Sequence, residues 1–156
     1  MIAGTDVVTP TGLHALLAQL FAIHGYAEVD AGTVDAFAQR PGHALLLLTE
    51  DPLRVRETLD LAVIVPQLAK AFPDRFRVGV LLPEAARQLH ARYGFRRWPA
   101  LVMLRDGAYV GAVDGLRSWD DYVQEVTQLL EAAPTRPPTI GIAVKTAGSI
   151  TVGCGS

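Results

Sequence analysis

Residues 93–115 read YGFRRWPALVMLRDGAYVGAVDG, and this stretch decides the fold. Residues 83–93 are good helix formers with Pro83 at the first turn, and Gly94 follows the last of them. Proline just inside the start and glycine just past the end bracket a helix. Residues 99–104 and 108–113 are two apolar runs joined through Arg105, Asp106 and Gly107. Asp-Gly between apolar runs is a strong hairpin signal, because the tight turn needs positive φ at both of its positions.

Working outward, Ser118 is placed to cap a helix whose apolar face is Trp119, Tyr122, Val123, Val126, Leu129 and Leu130. Upstream, residues 76–82 read as a strand and 58–72 as a helix with Pro66 inside it, which should kink it. Residues 50–57 are polar and read as a loop. Residues 43–49 hold four consecutive leucines, too short a run for a buried helix. A central strand covered on both faces fits better. A short helix is expected over 33–39 with Thr33 as its N-cap. Another is expected over 12–24, with Leu13, Leu16, Leu17, Leu20, Phe21 and Ile23 at helical spacing and Gly25 at its end. The element order is α, α, β, α, β, α, β, β, α. This predicts the α/β class: a mixed sheet with helices on both faces.

The chain has 156 residues, the size of one ordinary domain, and half of them are hydrophobic, enough for one core. A domain over 1–133 with its core at about 10–132 is expected. Residues 134–156 are rich in Pro, Gly, Thr and Ser, lack periodicity, and are expected to form a disordered tail. Fourteen Lys and Arg face sixteen Asp and Glu. With no basic stripe, nucleic acid is not an expected partner. Residues 1–10 carry no positive charge and no long apolar core, so a secretory signal is not expected. The apolar runs 44–48 and 61–65 fall far short of a membrane span, so no membrane insertion is expected. The single cysteine, Cys154, has no internal partner, which suits a reducing compartment; a cytoplasmic location is expected.

That element order, with an apolar strand behind Trp98-Pro99-Ala100 and an Asp106-Gly107 hairpin, resembles thioredoxin from about Val78 to Leu130. The resemblance implies that Pro66 matches the proline of the active-site helix and that the Trp98–Pro99 bond is cis. It sets Thr58, Leu59, Asp60 and Leu61 where thioredoxins carry Cys-x-x-Cys. The buried acid falls near Leu46 and the buried lysine at Val80. Disulfide exchange needs an attacking thiolate, and neither cysteine position supplies one. More narrowly, Ala71-Phe72-Pro73-Asp74, the run from Tyr93 to Ala100, and Asp114-Gly115-Leu116-Arg117-Ser118-Trp119 resemble the hydrogenase accessory proteins HyaE and HupG. That resemblance implies a non-enzymatic chaperone assisting [NiFe] hydrogenase assembly. Its implied partners are the small-subunit precursor, bound at the twin-arginine signal peptide, and other hydrogenase accessory proteins.

The candidate partner-binding residues are Trp98, Pro99, Glu57, Thr58, Asp60 and Leu61. Trp98 reads either as an aromatic anchor for a partner or as a packed support for the proline bond. The acidic set Glu50, Asp51, Glu57 and Asp60 reads either as a contact for a basic peptide or as a solvated loop, with Arg54 and Arg56 partly cancelling its field. Arg75, Arg77, Arg96 and Arg97 read as exposed surface. Cys154 reads as an incidental thiol. His14, His24, His43 and His90 put no two ligands on one helical face, so neither a metal nor a cofactor is expected. A structural adaptor docking through another face, or a single-thiol redox protein using Cys154, are the alternatives.

Overall fold

A computed structural model describes residues 13–139. In chain order the elements are α1 (Ala15–Ala22), β1 (Ala27–Glu28), α2 (Val34–Gln39), β2 (His43–Leu48), α3 (Glu57–Ala71), β3 (Arg77–Leu81), α4 (Pro83–Tyr93), β4 (Ala100–Arg105), β5 (Ala108–Asp114) and α5 (Trp119–Glu131). The strands form one sheet in the order β1-β3-β2-β4-β5. β3 is parallel to β1 and β2, while β4 is antiparallel to both β2 and β5. The mixed α/β architecture is the one expected. The strand β1 was not: two exposed residues carry no periodicity to find.

The leucine run is the middle of the sheet. Leu45 and Leu47 point into a core shared with α1, α3 and α5. Ala44, Leu46 and Leu48 point into a second core shared with α2 and α4. All five are fully buried. Side chains alternate across a strand, so a strand covered on both faces must be apolar at every position. Burying a leucine contributes about 1.5–3 kcal/mol, which makes this run the strongest single determinant of the layering.

Local signals account for most element ends. Gly94 closes α4 at φ 69°, and Ser118 Oγ accepts from the Asp121 N–H at the start of α5. The hairpin turn has φ 50° at Asp106 and 89° at Gly107. Helix α3 runs through Pro66 without a break. Three expectations need correction. Thr33 Oγ1 caps no N–H of α2; it accepts from Asp30 N–H and donates to Asp30 Oδ1, which itself takes the Gly32 and Thr33 N–H groups. Ile23 and Trp119 are exposed, because α1 ends at Ala22 and Trp119 is the first residue of α5, before the helix meets the sheet. Of the expected disordered tail, residues 134–139 lie on the domain, where Thr135 N–H donates to Tyr109 O on edge strand β5 at 2.8 Å; residues 140–156, Cys154 among them, lie outside the described residues. The Pro138 carbonyl then covers Gly94 so closely that a Cβ there would lie 1.9 Å from it. Among the described residues no helix is long and apolar enough to cross a membrane.

Candidate partner-binding site

The site is built where β2 ends, α3 begins and the Trp98–Pro99 loop enters β4. Register places these together: Leu48 pairs with Leu81 on one side and with Ala100 on the other. The peptide bond between Trp98 and Pro99 is cis.

Beyond β2 the chain turns polar but stays inside. Thr49 sends both its N–H and its hydroxyl to Leu81 O. Glu50 is only 7 % exposed. Its carboxylate accepts from Arg87 through Nε at 3.0 Å and through a second guanidinium nitrogen, and from Asp51 N–H at 2.8 Å. The Arg87 bond holds the Glu50 carboxyl below the usual carboxylate range; burial opposes it, and Asp51 N–H and the charges of Arg87 and Arg54 add to it. Glu50 is thus consumed within the fold, and the acidic set expected to face solvent loses its first member. Asp51 is half-buried and turned to local use, its Oδ1 accepting from Leu53 N–H.

Helix α3 follows. Thr58 is fully buried, and its hydroxyl oxygen accepts from Glu50 N–H at 3.3 Å. Where a thioredoxin presents a nucleophile, this chain uses a hydroxyl to hold backbone. Leu59 and Leu61 are buried too, Leu61 in the core against β2. Of the six candidate residues, Glu57 and Asp60 are exposed and Trp98 half-buried; Thr58, Leu61 and Pro99 lie beneath them. Val80, aligned with the buried lysine, is fully buried among apolar side chains, and Leu46 lies on the opposite face from α3.

A clasp that sequence reasoning missed holds the proline loop. Asp114 Oδ2 accepts from Arg96 N–H at 2.7 Å and Arg97 N–H at 3.1 Å. Pro99 O accepts from Gly115 N–H, and Gly115 O accepts from the buried Tyr122 hydroxyl, which in turn accepts from Arg117 N–H. Burial pushes the Tyr122 hydroxyl pKa up; Arg117 opposes this, and nearby Asp60 adds to it. Trp98 packs edge-on against Phe95, with ring centroids 4.8 Å apart, and 5.2 Å from His90. His90 Nε2 sits 2.7 Å from Phe95 O, and since a carbonyl only accepts, the proton is on Nε2. The clasp residues lie 25 to 51 positions beyond the end of α3; the runs 93–100 and 114–119, which hold most of them, were legible as a resemblance and not as a hydrogen-bond network.

Fold and site together define a thioredoxin-fold protein whose helix α3 contains no cysteine and has Thr58 and Leu61 buried near its start. A thioredoxin variant from Halobacterium salinarum superposes with a TM-score of 0.55 at 23 % identity, covering 70 % of this chain and 92 % of that one. The chain belongs to the HyaE family: the family model described as hydrogenase-1 expression protein HyaE matches residues 16–122. It is 39 % identical to the hydrogenase expression/formation protein HoxO of Cupriavidus necator, over 95 % of this chain and 90 % of the relative. It is 34 % identical to the hydrogenase expression/formation protein HupG of Bradyrhizobium diazoefficiens, over 78 % and 84 %.

Proposed function

We propose that this protein serves hydrogenase maturation as a non-catalytic, cytoplasmic chaperone that holds the [NiFe] hydrogenase small-subunit precursor at its twin-arginine signal peptide. Membership of a family of hydrogenase expression/formation proteins supports the maturation role. The observation that supports the peptide reading is that Thr58 and Leu61 are buried while Glu57 and Asp60 stay exposed in the first turn of α3. In this reading Pro99 and Thr58 shape the groove, main chain beside Pro99 pairs with an extended segment, Trp98 lends apolar surface, and the two acids attract cationic residues. Other hydrogenase accessory proteins are further partners. Docking through another face is the second reading, favoured by Leu116 and Trp119, which stand 46 % and 43 % exposed around the start of α5.

Calorimetry with the signal peptide tests the groove. Asp60→Asn is expected to weaken binding by about 0–1 kcal/mol and flatten its salt dependence. Trp98→Ala is expected to cost about 2 kcal/mol. Affinity unchanged in both variants removes the groove and leaves docking through another face; equal affinity for mature subunit and precursor moves the interface off the signal.

A further inference from the structure

The opposite end of the sheet carries a second constellation. The starts of β2 and β3 and the loops before them bound a cleft of about 360 Å³, lined by Arg40, Gly42, His43, Asp74, Arg75 and Arg77 among others. Arg77 is its fixed point. The guanidinium donates to the carbonyls of Phe37 (2.6 and 3.2 Å), Ala38 (3.1 Å), Arg40 (2.8 Å), Pro41 (3.1 Å) and His43 (3.3 Å). It also stands 5.2 Å from the Phe37 ring centre. These partners are dipoles, so Arg77 is held in place, and among the described residues no carboxylate forms an ion pair with it.

Around it the positive charge accumulates. Arg40 and Arg75 line the cleft as exposed side chains, and Arg105 is close enough to act on His43; none of the three pairs with a carboxylate among the described residues. Two carboxylates oppose these four guanidiniums. Asp74 lies in the cleft, and Asp106 accepts from Gly42 N–H at 2.7 Å. The balance is two positive charges. His43 lines the same cleft, with its Nε2 shielded from solvent and without a hydrogen-bond partner among the described residues. Burial lowers the His43 pKa, Arg105 and Arg75 lower it further, and Asp106 opposes them.

The geometry points to an oxyanion site at this end of the sheet, which takes a dianionic, phosphate-type group between Arg40 and Arg75. Planar guanidiniums pair with two oxygens at once, which favours an oxyanion over a halide. The doubly positive balance favours a dianion over a single carboxylate. Arg77 has its N–H groups engaged by carbonyls and contributes field; Arg40 and Arg75 contribute donors.

Nuclear magnetic resonance of the full chain, titrated with inorganic phosphate against chloride at matched ionic strength, tests this. Saturable shifts at Gly42, His43 and residues 75–77 are expected with phosphate and not with chloride. Sulfate, whose charge is constant across the range, should raise the His43 pKa. Arg40→Gln and Arg75→Gln should each weaken phosphate binding about fivefold with no change in melting temperature, and Asp74→Asn should tighten it. A phosphoserine peptide and glycerol phosphate, compared directly, tell a protein-borne phosphate from a metabolite; a preference for either supports the site. Shifts that chloride reproduces, or phosphate affinity indifferent to all three substitutions, overturn it.

Discussion

The two ends of the sheet handle a partly buried charge in opposite ways. At the proline end, Glu50 is buried against Arg87, so a charge meets its opposite and little field is left over. At the hairpin end, Arg77 is surrounded by the carbonyls that close α2 and enter β2, so a charge meets dipoles and its field persists. Both arrangements satisfy hydrogen bonds, which is what burial demands. They differ in what they leave for a ligand. The paired end offers backbone, aromatic surface and the exposed acids Glu57 and Asp60; the unpaired end offers net positive potential.

Substitution at Arg77 is the harshest way to break that contrast. Arg77→Met keeps the stem but strands several carbonyls, including those at the end of α2, and hydrogen bonds to charged groups are worth about 1.5–3 kcal/mol. A loss of roughly 3 kcal/mol is expected in urea unfolding. A loss below the scatter of the measurement would mean that water replaces the guanidinium at no cost.

Tyr122→Phe probes the proline end. The hydroxyl bonds to Gly115 O and Arg117 N–H inside a fully buried side chain, so its removal should cost about 1.5 kcal/mol. The amide resonances of residues 96–99 should move as the clasp loosens. A stability loss with those resonances unmoved would uncouple the clasp from the loop.

The smallest effect at neutral pH, and the most diagnostic, is Glu50→Gln. The folded Glu50 pKa lies below the usual carboxylate range, chiefly through the Arg87 bond. The stabilisation is therefore present above the unfolded value, where Glu50 is ionised in both states, and is lost as pH falls through the lowered folded value. Stability curves of parent and variant should differ at neutral pH and converge on acidification. A gap independent of pH would assign the effect to packing.

The hairpin, the helix with proline at its first turn and glycine after it, and the central strand were all legible because each rests on local chemistry: a turn that needs positive φ, a ring that fixes φ, a run with no polar position. The cis bond at Pro99 came from resemblance and not from any residue pattern. The fate of the charged residues was illegible. Glu50 and Arg87 are 37 positions apart, and Arg77 reaches carbonyls 34 to 40 positions upstream. Arg77 read as exposed surface for this reason: no local rule reports which strand start will face which helix end.

The sequence by itself determined the layering, since hydrophobic periodicity is a property of neighbours along the chain. It also determined the absence of thiols at positions 58 and 61, a matter of composition alone. Only the tertiary structure decided which polar groups meet: that Thr58 serves the Glu50 backbone, that Asp114 clasps the loop before Pro99, and that Arg77 keeps its charge. Those outcomes depend on distances between segments brought together by sheet register, and electrostatic energies change steeply with such distances and with burial.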